Sequence, residues 1–160
     1  MSSAMTLAVE IQEVRTAEEF GLREVFRSYR DGLPRHLQFP DAEWRELPGA
    51  YARPGGALLH AKVARQSAGC VGLRPLPCEG VCEIRRLFVR PTFRGHKLGD
   101  ALLVRILDVA RELGYRQVRL DTHLATMGAA VELYRQFGFV EVPPDPMPLT
   151  EGLSYVELAL

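Results

Sequence analysis

The sequence carries no excess of either charge: 20 lysines and arginines balance 20 aspartates and glutamates. A chain without net charge lacks the basic surface that non-specific nucleic-acid binding requires, although a local basic patch stays open. No apolar run approaches the roughly 20 residues that cross a bilayer. The opening Met1-Ser2-Ser3-Ala4-Met5 lacks the basic flank and apolar core of a secretory signal, so a cytoplasmic location is expected. Cysteine is scarce. Cys70, Cys78 and Cys82 form neither a CxxC pair nor a four-ligand zinc set, so no metal is expected and the three read as small buried side chains or ordinary thiols. Were Cys70 and Cys82 on hairpin partners they would lie near each other, which alone does not make a disulfide. Repeats and low-complexity tracts are absent. A composition of 47% hydrophobic and 25% charged residues excludes disorder, collagen and coiled coil. The 160 residues suit one domain over 1–160 with a real core. A homodimer is compatible with the chain, but nothing in the sequence fixes the oligomeric state.

What is present is an alternation of strand and helix patterns. Leu7, Val9 and Ile11 alternate with polar residues as in a strand. Thr16 and Glu19 have capping-box spacing ahead of a helical stripe of Leu22, Val25, Phe26 and Tyr29, closed by Gly32 and Pro34. A short helix is expected from Asp41 to Leu47, before Pro48-Gly49. Leu58–Ala64, Ala68–Leu73 and Val81–Val89 read as strands. The clearest helix carries Leu98, Leu102, Ile106, Val109 and Leu113 on one stripe, with Gly114 as its C-terminal cap. Gln117–Thr122 is a strand, and Met127, Ala130, Val131 and Tyr134 form a second stripe closed by Gly138. Phe139–Val142 and Leu153–Leu160 are the last strands, separated by a loop with four prolines. The order β-α-α-β-β-β-α-β-α-β-β predicts an α/β fold, a mixed sheet of about seven strands with helices on both faces.

The segment richest in chemistry is Leu87-Phe88-Val89-Arg90-Pro91-Thr92-Phe93-Arg94-Gly95-His96-Lys97-Leu98-Gly99. A strand, a turn with glycines and the start of a strong helix bring free backbone N–H groups and the positive end of a helix dipole together, an arrangement that binds phosphate. Neither the phosphate-loop pattern nor GxGxxG fits, which disfavours a nucleotide triphosphatase or a dinucleotide dehydrogenase.

Arg94-Gly95-His96-Lys97-Leu98-Gly99 resembles the Arg/Gln-x-x-Gly-x-Gly/Ala motif of the GNAT superfamily of acyl-CoA N-acyltransferases. Ala130-Val131-Glu132-Leu133-Tyr134-Arg135-Gln136-Phe137-Gly138-Phe139 is similar to its Ala-x-x-Leu-Tyr-x-x-x-Gly-Phe signature, and the element order matches over nearly the whole chain. Two departures stand out: Lys97 occupies a glycine position, and Met127 stands where many members carry a cofactor-contacting asparagine.

The resemblance implies a sheet splayed between the fourth and fifth strands, with acetyl-CoA as co-substrate. Its pantetheine arm is expected along Leu87, Phe88 and Val89. Its pyrophosphate is expected on the amides of Arg94, Gly95, His96, Lys97, Leu98 and Gly99. It further implies direct acetyl transfer to the primary amine of a small molecule, with a backbone donor near Leu87 or Phe88 for the oxyanion. Tyr134 matches the tyrosine that protonates the leaving thiolate, against the alternative of a packed ring. Glu83 is the candidate base, against a structural ion pair with Arg85 or Arg86. Asp121 and His123 are held in reserve. The acceptor region, Tyr29–Tyr51 and Pro143–Ser154, offers Arg30, Arg35 and His36 for an anion, and Asp31, Asp41, Glu43 and Glu46 for a cation. Tyr29, Phe39, Trp44 and Tyr51 could supply a wall there; each set reads equally as surface and packing. Acetylation of a protein lysine or N-terminus, or non-catalytic acyl-CoA binding, are the alternative functions.

Overall fold

The computed structural model of the chain describes residues 8–16, 20–35, 38–123, 128–142 and 153–160. Its elements run β1 (Val9–Glu13), α1 (Phe20–Asp31), α2 (Asp41–Arg45), a 3-10 turn (Gly49–Tyr51), β2 (Ala57–Val63), β3 (Gln66–Pro75), β4 (Val81–Val89), a 3-10 turn (Pro91–Phe93), α3 (Leu98–Glu112), β5 (Gln117–His123), α4 (Gly128–Gln136), β6 (Val140–Val142) and β7 (Leu153–Ala159). They form one seven-stranded sheet in the order β1-β2-β3-β4-β5-β7-β6. Of the residues whose alternation predicted the first strand, Val9 and Ile11 stand in β1, and Leu7 lies outside the described residues. α2 stops at Arg45 rather than Leu47, because the residue before a proline, here Leu47 before Pro48, is pushed out of the helical region.

β1 to β4 pair as antiparallel neighbours, and β5 pairs antiparallel with β7 along its whole length, from Gln117↔Ala159 to His123↔Leu153. β4 and β5 are parallel, joined through α3, as a crossover helix requires. Gly114, at φ +88°, follows α3, and Gly138, at φ +93°, follows α4, the left-handed stops expected of helix C-termini.

Both faces of the sheet are covered. Leu98, Leu102, Leu103, Ile106, Leu107, Val109 and Ala110 of α3 are buried against Leu59, Ala61, Val71, Leu73, Cys82, Ile84 and Val118, and Tyr134 and Phe139 join this core. On the other face Leu22, Val25 and Phe26 of α1 pack with Phe39, Leu47 and Tyr51 over Leu58 and Cys70. Leu58 and Leu59 thus serve opposite cores, as the pleat dictates, and each such side chain fully removed from water contributes about 1.5–3 kcal/mol. α1 sits close to the sheet at Gly21, where a Cβ would collide with Ser67 Oγ; beneath it buried His60 bonds Ser67 Oγ through Nε2 at 3.0 Å. Cys70 and Cys82 stand on paired strands but at opposite ends of the ladder, opposite Phe88 and Pro75 respectively. Both are buried free thiols, whereas Cys78 is free and exposed. Among the described residues no helix is long and apolar enough to cross a membrane.

Candidate active site

The β4–β5 ladder consists of Val81↔Gln117, Cys82↔Val118 and Glu83↔Arg119. β4 runs on to Val89 and β5 to His123, so past Glu83 the two strands diverge and leave a cleft at their C-terminal ends, where open α/β sheets bind ligands. On its other side β4 carries a bulge. Cys70 pairs with Phe88 and Gly72 with Arg85, so two steps on β3 face three on β4. Arg86 takes up the difference at φ +61°. Its carbonyl accepts the Cys70 thiol at 3.2 Å. Leu87, Phe88 and Val89 are half-buried and line the diverging strand.

Past Val89 the chain turns into α3. The N–H of Arg90 donates to Ala68 O at 2.8 Å, and the Arg94 guanidinium folds back to donate from Nε to Val89 O at 3.0 Å with its Cζ 5.6 Å from the Phe88 ring centre. Gly95 has φ +88° with open space where a Cβ would stand. Lys97 is the N-cap residue, held left-handed at φ 56°, ψ 28°, and its side chain does not cap the helix. The amides opening α3 have no intrahelical acceptor and meet the positive end of its dipole. His96 and Lys97 are exposed while Leu98 is buried, anchoring the turn to the α3-side core. The lysine at the glycine position therefore leaves the turn in the conformation a glycine would favour. Gly99 lies close to both Val89 and Leu133, since a Cβ there would be 4.0 Å from Val89 Cγ2 and 3.7 Å from Leu133 Cδ2. The end of β4, the start of α3 and α4 thus converge.

Tyr134 follows Leu133 on α4. It is buried, belongs to the core against which Leu87 and Val89 pack, and its ring centre lies 5.7 Å from that of Phe139. Glu83 stands at the last paired position of β4. Its neighbours Cys82 and Ile84 belong to the α3-side core, so by alternation its side chain serves the α1 side. The carboxylate is buried and its Oε1 receives Arg74 Nε at 3.0 Å and Nη2 at 2.9 Å, with Arg85 Nε at 3.5 Å. Further along the same face Arg119 grips Glu157 at 2.6 Å and 2.9 Å, and Gln117 Nε2 donates to the other oxygen of Glu157 at 2.6 Å. Tyr134 and Glu83 thus stand on opposite faces of the sheet.

The acceptor side gathers aromatic rings. Phe39 packs on Phe26 and Tyr29 at 6.1 Å and 5.6 Å between centres, and Tyr29 packs on Phe88 at 4.9 Å. Arg86 pairs with Glu43 of α2 through two bonds, 2.6 Å and 2.9 Å, and its Cζ lies 4.0 Å from the Phe39 ring centre. Burial disfavours this guanidinium's charge, but the bonds to Glu43 outweigh it and raise its pKa above the ordinary value. Burial, reinforced by the Glu43 charge, pushes the Tyr51 hydroxyl up to about 12. Of the residues weighed for an acceptor, Tyr29 and Phe39 meet in one cluster, Glu43 holds Arg86, and Arg30 pairs with Asp31 at 3.1 Å. Asp121 and His123 lie on the end of β5 opposite Tyr155 and Leu153 of β7, but their side chains, like those of Asp41 and Trp44, lie outside the described residues, as do His36, Met127 and the 143–152 loop. Sequence reasoning missed the Glu43–Arg86 pairing and the role of Arg74. A signal for the bulge was present: adjacent Arg85 and Arg86 break the period of two that a regular strand would keep.

Residues 20–139 match the acetyltransferase (GNAT) family. An uncharacterised N-acetyltransferase of Schizosaccharomyces pombe is 36% identical over 135 residues, 82% of this chain and 76% of that protein. An uncharacterised N-acetyltransferase of Escherichia coli is 27% identical over 76% of this chain and 73% of its own length. Among solved structures, an acetyltransferase of the GNAT family from Staphylococcus aureus superposes with a TM-score of 0.78 at 20% identity, over 95% of this chain and 99% of that one.

Proposed function

Because the chain belongs to the GNAT acetyltransferase family and is an acyltransferase of that family, we propose that it moves an acetyl group from acetyl-CoA to the primary amine of a small molecule by direct attack. The observation that carries the reading is the cleft opening past Glu83↔Arg119 beside a left-handed turn into α3. The two features suit the two ends of one ligand. Arg94 to Gly99 present backbone amides to a pyrophosphate at a helix N-terminus, and the open space at Gly95 lets it approach. The edge of β4 from Leu87 to Val89, no longer paired with β5, offers backbone groups to a pantetheine amide chain.

In the reaction the amine nitrogen forms a bond to the thioester carbonyl carbon, and the C–S bond then breaks. A backbone N–H at the bulge, near Leu87 or Phe88, stabilises the oxyanion between the two events, a role worth about 2.7–4 kcal/mol where single donors have been removed. Tyr134 supplies a proton to the departing thiolate from the α3 side. Glu83 takes the amine's proton on the other side, through Oε2 or a water, since its contacts with Arg74 and Arg85 fall on Oε1.

Thermal unfolding with acetyl-CoA, with pantetheine as the control, tests the binding half. Ligand at 100 times its dissociation constant stabilises by about 2.7 kcal/mol, a shift of roughly 5–11 °C for a domain of this size. Acetyl-CoA is expected to give it and pantetheine little. Thiol release across a panel of small amines tests the chemical half. No shift with acetyl-CoA, or binding without turnover on any amine, would overturn the proposal; label from acetyl-CoA appearing on protein rather than on small molecules would replace the acceptor class.

A further inference from the structure

We propose that the ion pair between Arg86 and Glu43 holds the Leu87 peptide in place for acyl transfer, which makes Arg86 a positioning residue acting through the β4 backbone. The proposal rests on the acyl-transfer reading above and names a part of the site that reading leaves unassigned.

The argument begins with a backbone outlier. Arg86 holds φ +61°, a region that residues with a Cβ avoid and that persists only where surrounding contacts enforce it. The contacts are present on three sides. Two bonds from Nε and Nη2 tie Arg86 to Glu43 of α2, and the guanidinium Cζ lies over the Phe39 ring, 4.0 Å from its centre. One residue on, Leu87 packs into the α3-side core. Two residues on, Phe88 stacks on Tyr29 of α1, and Tyr29 in turn packs on Phe39. The chain Arg86–Phe39–Tyr29–Phe88 closes on itself through the β4 backbone, with Leu87 in the middle.

Leu87 needs such support because neither ladder supplies it. Arg86 and Leu87 have no register partner on β3, and β5 has left at Glu83. A peptide at a bulge without a register partner, tied directly by the Cys70 thiol at the Arg86 carbonyl, still rocks unless its neighbours are fixed, and oxyanion stabilisation depends on a donor already aimed before charge develops. Arginine suits the task in a way lysine does not, because its planar fork makes both bonds to one carboxylate while stacking on a ring.

The test uses Glu43→Gln, Arg86→Lys and the double variant Glu43→Gln/Arg86→Gly. The double variant removes both charges together, so neither is left buried and unpaired, and glycine accepts the left-handed backbone. With a good amine acceptor, kcat of the double variant is expected to fall about 10- to 100-fold, the scale of a misaimed donor or substrate. KM for acetyl-CoA should stay within about threefold, because the turn at Arg94–Gly99 is untouched, and Arg86→Lys should fall between the two. Amide exchange should speed up at Leu87 and Phe88 about tenfold or more and stay unchanged in α3. A kcat within twofold of the parent overturns the proposal. So does a loss of kcat accompanied by an equal loss of acetyl-CoA binding and faster exchange throughout α3, since the pair would then be plain structural support. Should the parent protein transfer no acetyl group at all, the acyl-transfer reading fails separately. Exchange then decides for the clamp: faster exchange confined to Leu87 and Phe88 supports it, and unchanged exchange there refutes it.

Discussion

Lys97 offers a measurement in which strain and charge can be separated. It occupies φ 56°, ψ 28° at the start of α3, exposed and without a side-chain cap. A left-handed conformation costs an L-residue about 1–2 kcal/mol. Replacing it with glycine removes that cost but returns about 0.4–1 kcal/mol of freedom to the unfolded chain, a difference of about 0–1.6 kcal/mol whose central part puts the stabilisation by Lys97→Gly at about 0.5–1 kcal/mol. At about 2–4 °C per kcal/mol for a domain of this size, Tm should rise by about 1–4 °C. Lys97→Ala is the control. It deletes the same ammonium, and with it the same unfavourable contact between a cation and a helix N-terminus, but keeps the Cβ and therefore the strain. The difference in Tm between the glycine and alanine variants isolates the backbone contribution. Acetyl-CoA affinity reads the charge instead. An exposed ion pair is worth about 0.2–1 kcal/mol, so both variants should bind about 1.4–5-fold more weakly, and the gap from the parent should close as salt rises. Equal Tm values for the two variants, or a lower Tm for Lys97→Gly, would refute the strain argument. An affinity loss in one variant but not the other would refute the charge argument.

The remaining expectations concern the two proposed proton movers and one surface pair. Tyr134→Phe should lower kcat by about 100-fold or more, the scale of lost general-acid catalysis, with acetyl-CoA affinity within about threefold; equal loss of both would remove Tyr134 from the chemistry. Glu83→Gln should lower kcat by a similar factor and be partly rescued by added acetate or imidazole; unaltered turnover would leave Glu83 a structural partner of Arg74 and Arg85. Burial works to raise the Glu13 pKa, but the hydrogen bonds and charges of Arg53 and Arg15 outweigh it and hold it below its ordinary 4.5. A lowered folded value means the carboxylate adds stability above pH 4.5 that is lost as pH falls through that lowered value. Glu13→Gln should therefore cost up to about 1 kcal/mol at pH 7, no more because Arg53 is solvent-screened, and less at about pH 2. Urea unfolding at the two pH values checks this, and an equal cost at both would refute it.

Much of the fold was legible because the helical stripes are long and their stops are specific. α3 shows its apolar face five times before Gly114, and Gly114 and Gly138 take the left-handed stops their positions implied. Strand existence was equally plain, since buried runs such as Leu58-Leu59-His60-Ala61 leave few alternatives. Boundaries moved where a local rule was underweighted, as at Leu47 before Pro48. The candidate site divides along another line. The turn Arg94–Gly99 and Tyr134 were legible because each motif is contiguous. The partners of Glu83 and Arg86 were not, because Arg74 lies nine residues from Glu83 and Glu43 lies 43 from Arg86. Pairing over such separations is set by register and by how α2 docks, neither of which composition or periodicity encodes. A chain balanced at 20 charges of each sign gives no hint that several of them are matched across the sheet.

The same contrast explains where the backbone departs from ordinary geometry. Four described non-glycine residues have positive φ: Ala64, Arg65, Arg86 and Lys97. Ala64 and Arg65 form the tight turn between β2 and β3, where a two-residue hairpin loop demands positive φ at both positions; their strain belongs to topology. Arg86 and Lys97 have no hairpin to serve. They bracket the segment from Leu87 to His96, one at the bulge where β4 parts from its ladders and one where the turn enters α3. That segment also holds the diverging strand edge and the turn that enters α3. Strain of this kind persists where surrounding structure over-determines it and gathers at functional sites. At Arg86 the over-determination is visible in the Glu43 bonds and the Phe39 stack. At Lys97 it comes from the buried Leu98 that follows, which fixes the helix start whatever residue precedes it. The two positions therefore call for opposite substitutions. Glycine at Lys97 should relieve strain and keep the turn's backbone while losing only the ammonium's modest share of binding, whereas glycine at Arg86, although it fits the backbone equally well, should release the Leu87 peptide that the arginine holds.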